Sequence, residues 1–282
     1  MTNAAADTAP SHKAGPRRAA ASAAAERSLL RSVALPTEHG GWGLTTEPVL
    51  LGLIIAWSLS GLALGIAAIA AFLVRTPLKL ALIDRRRGRV LPRTKVATKL
   101  AAAELALIGA LGLFAGLRSG WQWLVPVLIA APFVAVQMAY DIRSRGRRLI
   151  PELAGTVGIA AIAAAILRAD HQPWGLAIAV WMVLVARAIV SIPFVRTQVF
   201  RLHRGTTDFA STYAWQAVGV AVAGAALVAD SSVWGGVATV ALIAVLDVLM
   251  LQRPPIPAKV NGYRQMALGF LLVAATAVTV LI

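Results

Sequence analysis

The chain has 282 residues, 59% of them apolar, with a mean hydropathy of +0.75 and a formal net charge of +15. That apolar share, against about 45–50% in soluble domains, excludes an ordinary soluble fold, and the absence of cysteine excludes disulfides, thiol nucleophiles and Cys-based metal sites. Four histidines scattered at 12, 39, 171 and 203 argue against a zinc cluster, and the positive charge lies between apolar spans, where it faces anionic lipid headgroups rather than nucleic acid.

Taken in order, residues 1–30 are rich in Ala, Ser, Lys and Arg and have no continuous apolar core of the kind a cleaved signal peptide needs. They read as a flexible basic cytoplasmic tail, ahead of one membrane domain over 31–282. The stretch L-P-T-E-H-G-G-W-G-L-T-T-E-P, residues 35–48, follows. It reads either as an interfacial loop anchored by Trp42 or as a ligand-facing segment. In the second reading the glycines let a backbone approach a ligand, and Glu38, His39 and Glu47 bring ionisable groups unusually close to hydrocarbon.

Apolar blocks of about 20 residues, the length that spans roughly 30 Å of hydrocarbon, predict an all-α bundle of nine transmembrane helices. The expected spans are 44–59, 61–83, 97–117, 121–140, 150–168, 173–195, 209–229, 232–251 and 262–282. The first is short, and Ser58 to Gly61 must form a tight turn. Pro77, Pro126, Pro132 and Pro193 fall within spans, where each can kink a helix and free a carbonyl.

Charge sets the orientation. With the N-terminus inside, the inner segments hold five Lys/Arg up to and including Arg31, nine over 75–99, four over 143–148, three over 196–204 and three over 253–264. That is 24 of the 27. Arg118 and Arg168 are left outside and Arg187 within span six. This bias predicts a multi-pass protein of the cell membrane with its N-terminus cytoplasmic and its C-terminus outside.

The chemistry concentrates at two inner helix ends. Arg75 and Lys79 share a helix face at the end of span two, with Asp84 the single carboxylate between Phe72 and Lys99. Arg196 and Thr197 occupy the matching place at the end of span six, followed by Arg201, His203 and Arg204. The triplet Val-Arg-Thr occurs at 74–76 and again at 195–197, consistent with an internal duplication. Two basic helix ends can converge on one phosphate or carboxylate, or each can be a positive-inside anchor reaching to headgroups. Arg187 lies near two turns inside the membrane, where an unpaired charge costs roughly 2.5–3.5 kcal/mol on the insertion scale; Glu104 and Asp247 are the expected partners. Glu152 suits a helix N-terminus, Asp141 reads first as a solvated loop charge and otherwise as one that faces the cavity, and Asp208 suits the N-cap of span seven.

The pieces P-T-E-H-G-G-W-G and V-R-T-P-L-K-L-A-L-I-D-R-R-R-G-R, with the Arg-Thr repeat, resemble the YwiC-like family, an uncharacterised group of bacterial membrane proteins. The likeness extends over most of 35–282. The nine-span layout, Arg-Val-Leu-Pro at 89–92 and Tyr140 to Leu153 are more distantly similar to the UbiA superfamily of membrane prenyltransferases. That resemblance implies a UbiA-like helix arrangement in the bacterial inner membrane, with functional motifs at the inner ends of helices two and six. It also implies Asp-rich motifs that hold Mg²⁺ on a diphosphate. The corresponding positions here are Arg75, Lys79 and Asp84, then Arg196, Arg201 and His203. Mg²⁺ takes oxygen ligands, so this donor set argues against it: no cofactor is predicted, with Mg²⁺ the one alternative left open.

Three readings stay open. One is a UbiA-like scaffold whose cytoplasm-facing basic cavity binds an anionic lipid or isoprenoid phosphate (if an enzyme, a transferase on such a substrate). The second is a transporter of a small anion, and the third a non-catalytic membrane assembly partner. Membrane lipids are expected partners in all three.

Overall fold

The computed structural model describes residues 33, 39–89, 91–205 and 208–282. The expected tail, Glu38 and the side chain of His39 lie outside the described residues.

The described residues form nine α-helices and one short 3-10 turn, with no strand among them. They are α1 (His39–Ile55), α2 (Leu59–Arg86), α3 (Pro92–Ser119), α4 (Leu124–Ile142), α5 (Leu149–Ala169), α6 (Trp174–Arg204), α7 (Ala210–Ala229), α8 (Trp234–Leu251) and α9 (Ala258–Leu281). Eight are long and apolar enough to cross a membrane; the apolar part of α1, Trp42–Ile55, is shorter. The chain is a multi-pass helical bundle.

Local chemistry sets the boundaries. Ser58 caps α2, its Oγ accepting from the Gly61 amide at 3.0 Å, which makes the expected turn as tight as three residues. Pro92 opens α3 at a position where its missing N–H costs nothing. Gly205, at φ 83°, ends α6 in the left-handed region that glycine enters without strain. Pro48, Pro77, Pro132 and Pro193 sit inside helices, while Pro126 falls in the first turn of α4, where it is well tolerated.

Three boundaries differ from the sequence expectation by more than four residues; α3 begins at Pro92 rather than 97, because proline opens a helix there. Residues 39–48 are helical, so Trp42 is a helix residue, edge-on to Phe72 at 5.1 Å, and not a loop anchor. Helix α6 runs nine residues beyond the expected 195. Hydropathy stops at Arg196, but the helix continues because its last turns pack on α7 and α8: Gln198 is buried there, and Arg201 bonds to main-chain carbonyls of the α8 end.

Helices α5 and α6 form the centre and are the most buried of the spans. Around α5 lie α1, α2 and α4; around α6 lie α7, α8 and α9; α9 closes the ring against α1, and α3 packs along α2. The centre is built from small residues, which let helix backbones approach closely without water to drive them together. Gly158 shows the constraint, since a Cβ there would meet Val134 Cγ2 at 2.8 Å. The main core cluster, including Val180, Val183, Val240, Ile243 and Leu272, joins α6, α8 and α9. Short connections make successive helices antiparallel. One end of the bundle therefore gathers the connections around residues 87–91, 143–148, 205–209 and 252–257, and is called the basic end below. At the opposite end Arg168 is buried, bonded to Gln122 and the Gln172 carbonyl, with its guanidinium 4.3 Å over Trp174.

Candidate functional site

At the basic end, Arg75 and Lys79, one turn apart on α2, face the same carboxylate. Arg75 Nε donates to Asp141 Oδ2 at 2.8 Å and Nη2 to Oδ1 at 3.3 Å; Lys79 Nζ lies 3.6 Å from Oδ1. Asp141 is fully buried in the last turn of α4. The expectation of a solvated loop charge is thus corrected: a carboxylate at this depth is stable because two cations from a neighbouring helix hold it.

Arg196 on α6 donates from Nη1 to Glu152 Oε2 at 2.8 Å and to the Arg147 carbonyl at 3.0 Å. Glu152 sits in the first turn of α5, as expected, and its carboxylate also reaches α6. The two Val-Arg-Thr arginines therefore grip opposite ends of one segment, the α4–α5 connection from Asp141 to Glu152. They meet separate carboxylates rather than one shared anion.

The remaining basic-end candidates have local partners. Asp84 is buried, accepting from Thr94 Oγ1 at 2.6 Å and paired with Arg93 at 3.5 Å. Thr94 in turn accepts from the Leu91 amide, so Asp84 stitches the end of α2 to the start of α3. Arg201 donates to the Leu251 and Arg253 carbonyls at 3.1 and 2.9 Å and lies over Phe209 at 5.0 Å. It satisfies carbonyls that the end of α8 leaves unpaired. His203 is exposed, its Nδ1 2.8 Å from the Val199 carbonyl. Asp208 accepts from the Ala210 amide at 2.9 Å, one residue ahead of the helix cap at Phe209.

A second cluster lies within the bundle. Arg187 is 2% exposed. It bonds to Ser191 one turn on, to Gln265 Oε1 at 3.0 Å and to the Gln265 carbonyl at 2.6 Å. Its ion-pair partner is Glu47 of α1, at 3.8 Å, rather than Glu104 or Asp247. Asp247 is connected at one remove, through Gln265 Nε2 at 3.1 Å. Four helices, α1, α6, α8 and α9, thus share one polar group. Gly269 on α9 makes room for it, since a Cβ there would collide with the Glu47 carboxylate.

Glu47, Arg187 and Asp247 stand out in the sequence as charges inside spans. Gln265, Asn261, Ser191 and Gln198 do not, because single neutral polar residues are common in such helices. Their signal is spacing: Asn261 and Gln265 lie four apart on α9, and Arg187, Ser191 and Gln198 recur along one face of α6.

The donor sets at the ends of α2 and α6 do not suit Mg²⁺. Binding through Asp84 would require displacing Thr94 and Arg93, and the end of α6 offers guanidinium and imidazole where the ion needs oxygen. Among the described residues no three His, Asp or Glu side chains gather as a metal-binding group.

Residues 35–167 match the family model described as YwiC-like protein. The matched segment runs from the residues ahead of α1 almost to the end of α5. It contains Glu47, Arg75, Lys79, Asp84, Asp141 and Glu152, and stops before Arg187 and Arg196. No curated protein and no solved structure matches the chain.

Proposed function

We propose, from this YwiC-like bundle and its basic end, that the protein binds an anionic lipid or isoprenoid phosphate headgroup without metal, on the cytoplasmic side of a cell membrane. In this reading the N-terminus is cytoplasmic and the C-terminus outside.

The observation that carries the reading is the imbalance of exposed charge. At the basic end Asp84 and Asp141 are buried, and Glu152 is half-buried against Arg196. Arg85, Arg86, Arg87, Arg89, Arg145 and Arg148 are exposed, and Asp208 is the one carboxylate among the described residues in the exposed class. Carboxylates are spent on holding the α4–α5 connection, and guanidinium groups are left to face solvent. A phosphate monoester or diphosphate would be neutralised there by charge-assisted hydrogen bonds, which suit planar guanidinium donors.

Thermal-shift titration of the detergent-solubilised protein tests it, with phosphatidic acid and farnesyl diphosphate, each in Mg²⁺ and in EDTA. Stabilisation that survives EDTA and is lost in an Arg145→Gln/Arg148→Gln variant supports the reading. No shift with either phosphate refutes it.

A second reading, transport of a small anion, draws on the buried Glu47–Arg187 pair, since charges inside a membrane bundle commonly mark a solute or ion pathway. Uptake of radiolabelled phosphate or a small carboxylate into proteoliposomes, abolished by Glu47→Gln in protein that still folds, would favour it over headgroup binding.

A further inference from the structure

Near the basic end, between α6, α8 and α9, several buried polar atoms have no hydrogen-bond partner. They are both amide atoms of Asn261, Asp247 Oδ2, Gln198 Oε1, Arg264 Nη1 and Arg187 Nε. Asn261 and Gln198 are each 1% exposed and Asp247 is fully buried. A buried polar group left unpaired costs about 1–3 kcal/mol, and natural structures rarely keep several together.

These atoms belong to one neighbourhood. Gln265 holds Asp247 on one side and Arg187 on the other. Asn261 is one turn from Gln265 on the same face of α9. Arg264 is three residues from Asn261 on α9, so the two side chains are neighbours on that helix, and Gln198 bonds to the Met250 carbonyl at the end of α8. Depth is also shared. Asp247 is four residues from the end of α8 and Asn261 three from the start of α9, which is about 5–6 Å along each axis. Both residues therefore lie about one turn from the basic end of their helices.

Charge decides the kind of guest. The buried carboxylates Glu47 and Asp247 are matched in number by the guanidinium groups of Arg187 and Arg264. A guest with net charge would leave one charge uncompensated in a medium that penalises it heavily. A guest of zero net charge with separated poles adds no such penalty. Its donor end suits Asp247 Oδ2 and Asn261 Oδ1; its acceptor end suits Arg264 Nη1 and Asn261 Nδ2.

We propose that α6, α8 and α9 enclose a binding site for a small zwitterion, a primary ammonium beside a phosphate or carboxylate, entered from the basic end. Asp247 takes the ammonium and Arg264 the acidic group, with Asn261 bonding to both. The ligand chemistry has two sources, a soluble zwitterion or the headgroup of phosphatidylethanolamine.

Thermal-shift titrations with named probes test this. Phosphoethanolamine and glycine represent the soluble source and dihexanoyl phosphatidylethanolamine the lipid source; phosphocholine and inorganic phosphate are the controls. The wild-type protein should gain about 3 °C at ten times Kd with an ammonium-bearing zwitterion, and Asp247→Asn and Asn261→Leu should lose the response. Asn261→Leu should itself remain as stable as wild type, because the amide it replaces has no partner to lose. A response to the short-chain lipid alone identifies the bilayer as the source; an equal response to the free zwitterions identifies a soluble one. An equal response to phosphocholine or inorganic phosphate, a response that persists in Asn261→Leu, or no response to any probe overturns the proposal. Phosphatidic acid binding at the exposed arginines is read separately, so the two sites fail independently.

Discussion

Replacing Arg187 by Met should be among the most damaging single changes in this protein, and a second substitution should reverse much of it. Arg187 and Glu47 lie 3.8 Å apart and are almost fully buried. At an effective dielectric near 20, Coulomb's law gives about 4 kcal/mol at that separation. Removing one partner of a buried pair typically costs about 3–5 kcal/mol, because the other charge is left stranded. Arg187→Met also strands the Gln265 carbonyl and Oε1, so the upper half of that range applies. Glu47→Gln leaves a guanidinium that still bonds to Gln265 and Ser191 and should cost about 1–2 kcal/mol. In the double variant Glu47→Gln/Arg187→Met no charge is stranded, and about 2 kcal/mol or more of coupling should be recovered. The assay is SDS-titrated unfolding in mixed micelles across the four-member cycle. Losses that simply add would refute the pairing. A parallel cycle with Glu104→Gln should add, since Glu104 is not the partner; coupling there would restore the sequence-based alternative.

Gly269→Ala should destabilise by about 1–3 kcal/mol through the clash of its Cβ with Glu47. Gly262→Ala, on the same helix with nothing within 4 Å, should be neutral or stabilising by up to about 1 kcal/mol; SDS unfolding compares the two directly. Asp141→Asn weakens the hold of Arg75 and Lys79 on the α4–α5 connection, so trypsin should cut at Arg143–Arg148 about tenfold faster, and an unchanged rate would mean that the ion pairs do not restrain the segment. The chain has no cysteine, so single cysteines report sidedness without background: an impermeant maleimide on intact cells should label Ser231→Cys and leave Ser144→Cys unlabelled. The reverse pattern would invert the proposed orientation.

Much of the scaffold was legible because a membrane helix advertises itself over its whole length. Nine apolar blocks became nine helices, most ends falling within a few residues. The exceptions share a cause. Helix α6 outruns its apolar block because a helix end is set by hydrogen bonding and packing, while hydropathy only marks where hydrocarbon stops. Residues 39–43 fell outside the expected first span because three glycines in five residues suggest a loop, yet tertiary contact overrides weak propensity: Gly43 lies beside Glu47 and Met266, and Trp42 meets Phe72. Candidate residues were legible as charges out of place. Their partners were not, because Arg187 meets Glu47 across 140 positions of sequence, and no spacing rule reaches that far. Asp141 was misread for the opposite reason. Its neighbours Arg143, Arg145, Arg147 and Arg148 make the segment look solvated, but the side chain turns inward to cations 66 and 62 positions away.

The repeated Val-Arg-Thr triplet takes on a different meaning once its partners are known. Two basic helix ends with matching triplets suggest one anion held from two sides. Instead Arg75 reaches the first end of the α4–α5 connection and Arg196 the second. A free anion competing for either arginine would have to displace a carboxylate already fixed by the fold, and Asp141 would then be left buried without its cations. That penalty argues that Arg75 and Arg196 position the connection, which in the proposed reading leaves recognition to the exposed guanidinium groups between them. The distinction is measurable. Arg75→Gln should alter protease sensitivity and thermal stability together, whereas Arg145→Gln/Arg148→Gln should alter phosphate binding with stability unchanged. If Arg75→Gln abolished phosphate binding while leaving proteolysis and stability untouched, the arginine would be a ligand, and the division between holding and recognising would fail.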